Sequence, residues 1–134
     1  MRELTSHKVN GCNEKLVIQV VGKAGPGSAA QRYDIIGFDT MNNAGAVDEH
    51  GYKTSFSRLP IVFQNGAIGD VGTNGVTHEA LLAIIEDRLS AFQAGPYACE
   101  ENANALAHVQ AAQSILKSRT QKRLLRGVEG TMKV

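Results

Sequence analysis

The sequence predicts an α+β fold: a small N-terminal antiparallel β-sheet followed by a C-terminal two-helix hairpin. Three observations carry this reading. The first half contains β-branched runs, KLVIQVVG (15–22) and RYDIIGFDT (32–40), separated by a Gly-Pro-Gly segment. Composition shifts near residue 73, where Asn74-Gly75 supplies turn chemistry. Beyond it, Leu81, Leu82, Ile84, Ile85, Leu89 and Phe92 recur at intervals of three and four, the period of one helix face.

Taken in order, residues 1–13 are polar and aperiodic and read as a flexible arm. Residues 15–22 read as a strand, KAGPGSAAQ (23–31) as a loop, 32–40 as a second strand and MNNAGAVDEHG (41–51) as another loop. LPIVFQ (59–64), Asn65-Gly66 and AIGDVG (67–72) predict a hairpin, because Asn-Gly tolerates the positive φ of a type I′ turn. A β-region over 14–73 and a helical hairpin with a C-terminal tail over 74–134 complete the division. The first helix, about 77–93, starts at Thr77 as N-cap with Glu79 in the first turn and stops at Gly95-Pro96. The second runs over about 98–124, with Leu106, Val109, Leu116 and many Ala forming a narrow apolar stripe.

A chain of 134 residues without Trp, and with only 5% aromatics, builds a modest core, so burial by self-association is expected. A net charge of +1 argues for neither nucleic acid nor membrane. Cys12 and Cys99 form no CxxC pair and read as reduced thiols. The N-terminus has no apolar stretch of a secretory signal, and no run of 18 apolar residues occurs, so residence in a cytoplasm is expected.

Chemistry-bearing motifs are few. His7, His50, His78 and His108 are dispersed without ligand spacing, so no metal is expected. Cys99 is followed by Glu100 and Glu101, which disfavour a thiolate, and no Ser sits in a GxSxG motif. The two acids are explained by the helix dipole. GKAGPG (22–27) lacks the spacing of a phosphate loop. No catalytic residue and no cofactor are therefore expected.

The most informative segment is KSRTQKRLLR (117–126), with five positive charges and no acid. On a helix, Arg119, Lys122, Arg123 and Arg126 share one face. Such a face is either a solvated helix end or a phosphate clamp, since the arginine fork matches phosphate oxygens. Phe92 and Tyr97, either hairpin core or a platform for a base, flank FQAGPYACEEN (92–102). Asn102 and Arg119 lie 17 residues apart on one predicted helix, roughly 25 Å at 1.5 Å per residue. A small ligand cannot bridge that span within one chain. A site using both ends needs a head-to-tail pair of chains, which symmetry makes two equal sites.

The segments NGVTHEALLAIIEDRL, FQAGPYACEEN and RGVEGT carry a family likeness. From about residue 72 to the end, the chain resembles the helical-hairpin domain of the phage Thoeris anti-defence sponge family, type one, a hairpin shared with anti-CBASS sponges. NEKLVIQVVGKAGPGSAAQRYDI is similar to that family's small β-region. The resemblance implies a non-catalytic homo-oligomer, either a dimer or dimers assembled into a hexamer. It implies sequestration of a glyco-cyclic ADP-ribose isomer made from NAD by TIR-domain proteins, in the cytoplasm of the infected bacterial host. It also implies Phe92 stacking on a base, Asn102 bonding polar edges, and Arg119 and Arg123 holding pyrophosphate and ribose oxygens. Tyr97, as an aromatic flanking the turn, and Lys122, on the basic face, are the further candidate ligand contacts that the residues themselves offer. Glu100 stands where many members carry a basic residue. Two alternatives remain: capture of cyclic di- or trinucleotides as main or second activity, and a phage structural or DNA-associated protein.

Overall fold

The computed structural model describes residues 2–127 and Thr131. The chain divides into two compact units, Met1–Asn65 and Gly66–Val134. The first unit holds strands β1 (Arg2–Leu4), β2 (Val17–Ala24), β3 (Ala30–Ile36) and β4 (Leu59–Val62), with helix α1 (Gly11–Lys15) between β1 and β2. The second holds the short α2 (Ile68–Val71) and two long helices packed together, α3 (His78–Gln93) and α4 (Glu100–Leu125). The class is α+β, as the sequence predicts.

The sheet is antiparallel throughout, in the order β1-β2-β3-β4. β2 and β3 pair from Val17↔Ile36 to Val21↔Arg32, then shift register before Ala24↔Ala30. The shift falls at Gly22, whose φ of 81° suits a bulge. The ribbon is therefore two residues longer at its loop end than expected. Residues 1–13, read as a loose arm, begin with β1, which registers Arg2 on Val20 and Leu4 on Ile18. The arm is further tied down where Asn10 caps α1, its Oδ1 accepting from the Asn13 N–H at 2.9 Å, and by a 2.6 Å hydrogen bond between His7 Nε2 and the Leu16 carbonyl.

β3 ends at Ile36 rather than running to residue 40, for a steric reason. Gly37 has φ +91°, and a Cβ there would lie 1.9 Å from the Lys15 carbonyl oxygen. Only glycine lets the two backbones cross so closely. Beyond it, Thr40 fastens the long connection: its N–H donates to the Phe56 carbonyl at 3.1 Å, its hydroxyl donates to the Thr54 carbonyl at 3.1 Å, and the same oxygen accepts from the Phe56 N–H at 2.9 Å.

The interior of this unit is small and partly ionic. Val20 and Ala46 are buried, and beside them Thr40 and Asp34. Arg32 holds both Asp34 carboxylate oxygens, at 2.8 and 3.1 Å, and Arg58 donates to one of them. A carboxylate in a sheet interior persists because guanidinium forks replace the water it loses. These contacts, Arg32 first, hold the Asp34 carboxyl below its ordinary range against the opposing effect of burial.

The strand expected at 67–72 is not present. Gly66 does take a positive φ, 99°, but the chain then winds into α2. There the Asp70 and Val71 N–H groups both reach the Ala67 carbonyl, and Gly72 closes the turn at φ 71°. β4 instead finds its partner in β3, from Arg32↔Val62 to Ile35↔Leu59. Asn-Gly permitted the turn without dictating what followed it.

The helices start where their caps place them. Thr77 Oγ1 accepts from the Ala80 N–H at 3.1 Å, as expected of an N-cap. α4 is capped by Cys99, whose Sγ accepts from the Asn102 N–H at 3.4 Å. Within α4, half-buried or buried residues include Asn102, Leu106, Val109, Gln113, Leu116, Thr120 and Arg123. Their alternation of four and three is the seam of two helices packed side by side. Among the described residues of α3 and α4, only Arg123 is buried. Ile84 is 60% exposed, Ile85 45% and Ile115 68%.

Candidate functional site at the two ends of the hairpin

The turn between α3 and α4 gathers three of the predicted residues. α3 is closed by the Ala94 N–H on the Ser90 carbonyl and the Gly95 N–H on the Phe92 carbonyl. The Gln93 side chain spans the turn, its Oε1 accepting from the Cys99 N–H at 3.0 Å. This brings the Phe92 and Tyr97 rings edge to face, centroids 5.5 Å apart at 81°. Asn102 Nδ2 donates to the Tyr97 carbonyl at 3.1 Å, fixing the amide against the turn. Phe92, Tyr97 and Asn102 thus form one cluster, with Tyr97 69% exposed.

Arg88 belongs to this cluster, and the sequence reading passed it over. Its guanidinium carbon lies 5.4 Å from the Phe92 ring centroid, a cation–π contact. The signal was present, since Arg88 and Phe92 are four residues apart on one helix. Glu100 and Glu101 occupy the first turn of α4, where acids are favoured by the dipole.

The other cluster lies near the far end of α4. A cleft of about 510 Å³ is lined by Arg119, Lys122, Arg123 and Arg126, by the hydroxyls of Ser114 and Ser118, and by Ile115. No acid is among its described lining residues. Arg119 and Lys122 are exposed. Arg123 is not: it is 7% exposed, and its Nη2 donates to the Thr131 carbonyl at 3.1 Å. Ser114, Ser118 and Arg126 extend the predicted set. They follow from the same face by helical spacing, whereas the contact of Arg123 with Thr131 joins it to a residue beyond the helix.

The two clusters stand on one uninterrupted helix of 26 residues. Asn102 and Arg119 are therefore separated by roughly 25 Å of helix, and one chain does not bring them together. The remaining titratable candidates are scattered. Cys99 is engaged as a cap, His108 Nδ1 meets the Asn104 carbonyl at 2.7 Å, and His50 lies beside Glu49. Among the described residues, no group of three or more His, Cys, Asp or Glu converges to hold a metal ion. Among them, too, no helix is long and apolar enough to cross a membrane.

This hairpin has a recorded counterpart. Residues 58–120 match the family described as Acb2/Tad1, hairpin domain. Over those residues the chain is similar to an Acb2/Tad1 hairpin domain. The match starts at β4, earlier than the helices, and ends within α4, so it includes Phe92, Tyr97, Asn102 and Arg119 and stops short of Lys122 and Arg123. The chain is also 44% identical over 69 residues to a curated protein of Bacillus phage SBSphiJ7, "Thoeris anti-defense 1". That alignment covers 52% of this chain and 49% of the relative, so the chain matches about half the relative's length.

Proposed function

We propose that the protein is a non-catalytic sponge for an immune signalling nucleotide, a glyco-cyclic ADP-ribose isomer, and that by capturing it the protein keeps a Thoeris effector inactive. The observation that carries this reading is the division of the hairpin into two unlike ends. One presents an aromatic pair and an amide, suited to a base and its polar edges. The other presents an acid-free cluster of cations and hydroxyls, suited to a pyrophosphate. A ligand with both parts, about 10 Å across, is met by the turn of one chain and the basic cleft of a second. The exposed isoleucines of α3 and α4 give such chains apolar surface to share. The likeness to an anti-defence protein supports the biological direction.

Complementation tests the two-chain site directly. Phe92→Ala and Arg119→Ala are each expected to bind the cyclic ADP-ribose isomer at least ten-fold more weakly than the unaltered chain. Mixed one to one and allowed to exchange subunits, they regenerate one intact site per mixed dimer, or about a quarter of the original sites. Calorimetry counts them. Failure of the mixture to recover any tight sites, with exchange demonstrated, overturns the composite site. Ligand released from the heat-denatured complex is expected to be chemically intact, and recovery of cleaved ligand overturns the sponge reading in favour of an enzyme.

A further inference from the structure

We infer that Arg88 is a further ligand-binding residue at the turn end, and that it takes the phosphate nearest the base of a bound nucleotide. The inference rests on the reading of the turn as a platform for a base, and adds an anion contact to it. Arg88 is exposed, and its guanidinium carbon lies 5.4 Å from the centroid of the Phe92 ring. The Tyr97 centroid stands 5.5 Å from that of the same ring. A cation therefore sits beside the aromatic pair, on the scale of the one sugar that separates a base from its first phosphate.

The spacing of α3 leaves this guanidinium without a carboxylate. Side chains three or four residues apart are neighbours on a helix, and for Arg88 those are Ile84, Ile85, Ala91 and Phe92. Glu86 and Asp87, two residues and one residue before it, do not face it. Among the described residues, no hydrogen bond or ion pair engages Arg88, and the ring of Phe92 is what holds it. The attraction of a cation to a ring is to the quadrupole and consumes no N–H group. The five guanidinium donors thus remain for a ligand.

Charge points to an anion as what they meet. Between Arg58 and Lys117, Arg88 is the single Lys or Arg, against six acids. Two of those acids, Glu100 and Glu101, open α4 directly beyond the turn. A nucleotide that lays its base on Phe92 and Tyr97 brings its phosphate into this acidic stretch. Arg88 is the cation placed to offset it, and the arginine fork matches phosphate oxygens. The rest of a diphosphate is left to the basic cleft of the second chain.

The test is equilibrium dialysis of the full chain against adenosine 5′-monophosphate and, separately, adenosine, with helix content followed by circular dichroism. Both probes carry the base, so their affinity ratio isolates the phosphate from any change in stacking or folding. Arg88→Gln is expected to weaken the monophosphate about ten-fold, the low end for a hydrogen bond to a charged group, and adenosine by no more than about two-fold. Arg88→Lys keeps the charge and is expected to retain most of the preference for the monophosphate.

Equal weakening of both probes overturns the inference, because Arg88 then only props the ring. An unchanged ratio in Arg88→Gln, or no preference for the monophosphate in the unaltered chain, overturns it as well. If Phe92→Ala loses both probes while Arg88→Gln alters neither, the platform stands and the phosphate contact falls. If the unaltered chain binds neither probe, both fall.

Discussion

The two units bury different things. In the sheet unit, Val20 and Ala46 are enclosed, Asp34 is held by two guanidiniums, Thr40 is bonded three ways, and Gly37 allows a close backbone crossing. In the hairpin unit, no apolar residue of α3 or α4 is buried among those described, and isoleucines face outward. The sheet unit therefore draws its order from within the chain. A hairpin with so little enclosed apolar surface gains stability from what it packs against. Under the proposed two-chain site, that dependence would place assembly and binding on the same helices.

This contrast can be broken in three ways, in order of expected effect. Gly37→Ala strikes the sheet unit at its tightest point, where a Cβ meets the Lys15 carbonyl at φ +91°. A loss of about 3 kcal/mol or more is expected, read as a fall in the denaturant midpoint of the β-signal. An unchanged midpoint would show that the crossing is not required. Next, Ile84→Asp with Ile85→Asp places charge on the outward face of α3. Sedimentation is expected to show dissociation to monomers and calorimetry a loss of tight ligand binding, while the sheet signal persists. A variant that stays assembled would release the hairpin from its dependence on a partner.

The smallest effect concerns acid. Asp34 has a lowered folded pKa, so in acid the unfolded chain binds the proton that the folded chain resists. The stability it contributes is complete above the unfolded value, about pH 4, and is lost as pH falls through the lower folded value. Asp34→Asn is expected to lower the Tm at neutral pH and to flatten the decline below about pH 4. An unaltered acid profile would mean that this carboxylate does not set the acid response of the sheet.

Elements with strong local chemistry were legible in the sequence. Thr77 followed by a 3.6-periodic run located α3, and the β-branched runs located the centres of β2 and β3. The elements that depend on partners were not. Arg2–Leu4 has no strand signal of its own and becomes a strand because β2 offers it a register. AIGDVG has apolar residues at both helical and strand intervals, and it winds into α2 although β4, last in the strand order, has a neighbour on one side only. At the site, spacing alone put the cations on one face and separated them from the turn. It did not reveal that Arg123 is buried and bonded to the Thr131 carbonyl. Nor did it weigh Arg88, whose meaning emerges only once Phe92 turns its ring toward it.

The unbroken course of α4 from Glu100 to Leu125 makes the helix a caliper. Each added residue would advance the basic end by about 1.5 Å and rotate it by about 100° relative to the turn. Only insertions near a multiple of seven keep both jaws and the 4-3 seam in phase, and each of those opens the caliper by about 10.5 Å. Under the two-chain reading each site joins the turn of one chain to the basic end of another, so the length of α4 sets how far apart the two equal sites stand rather than the size of the molecule either one holds.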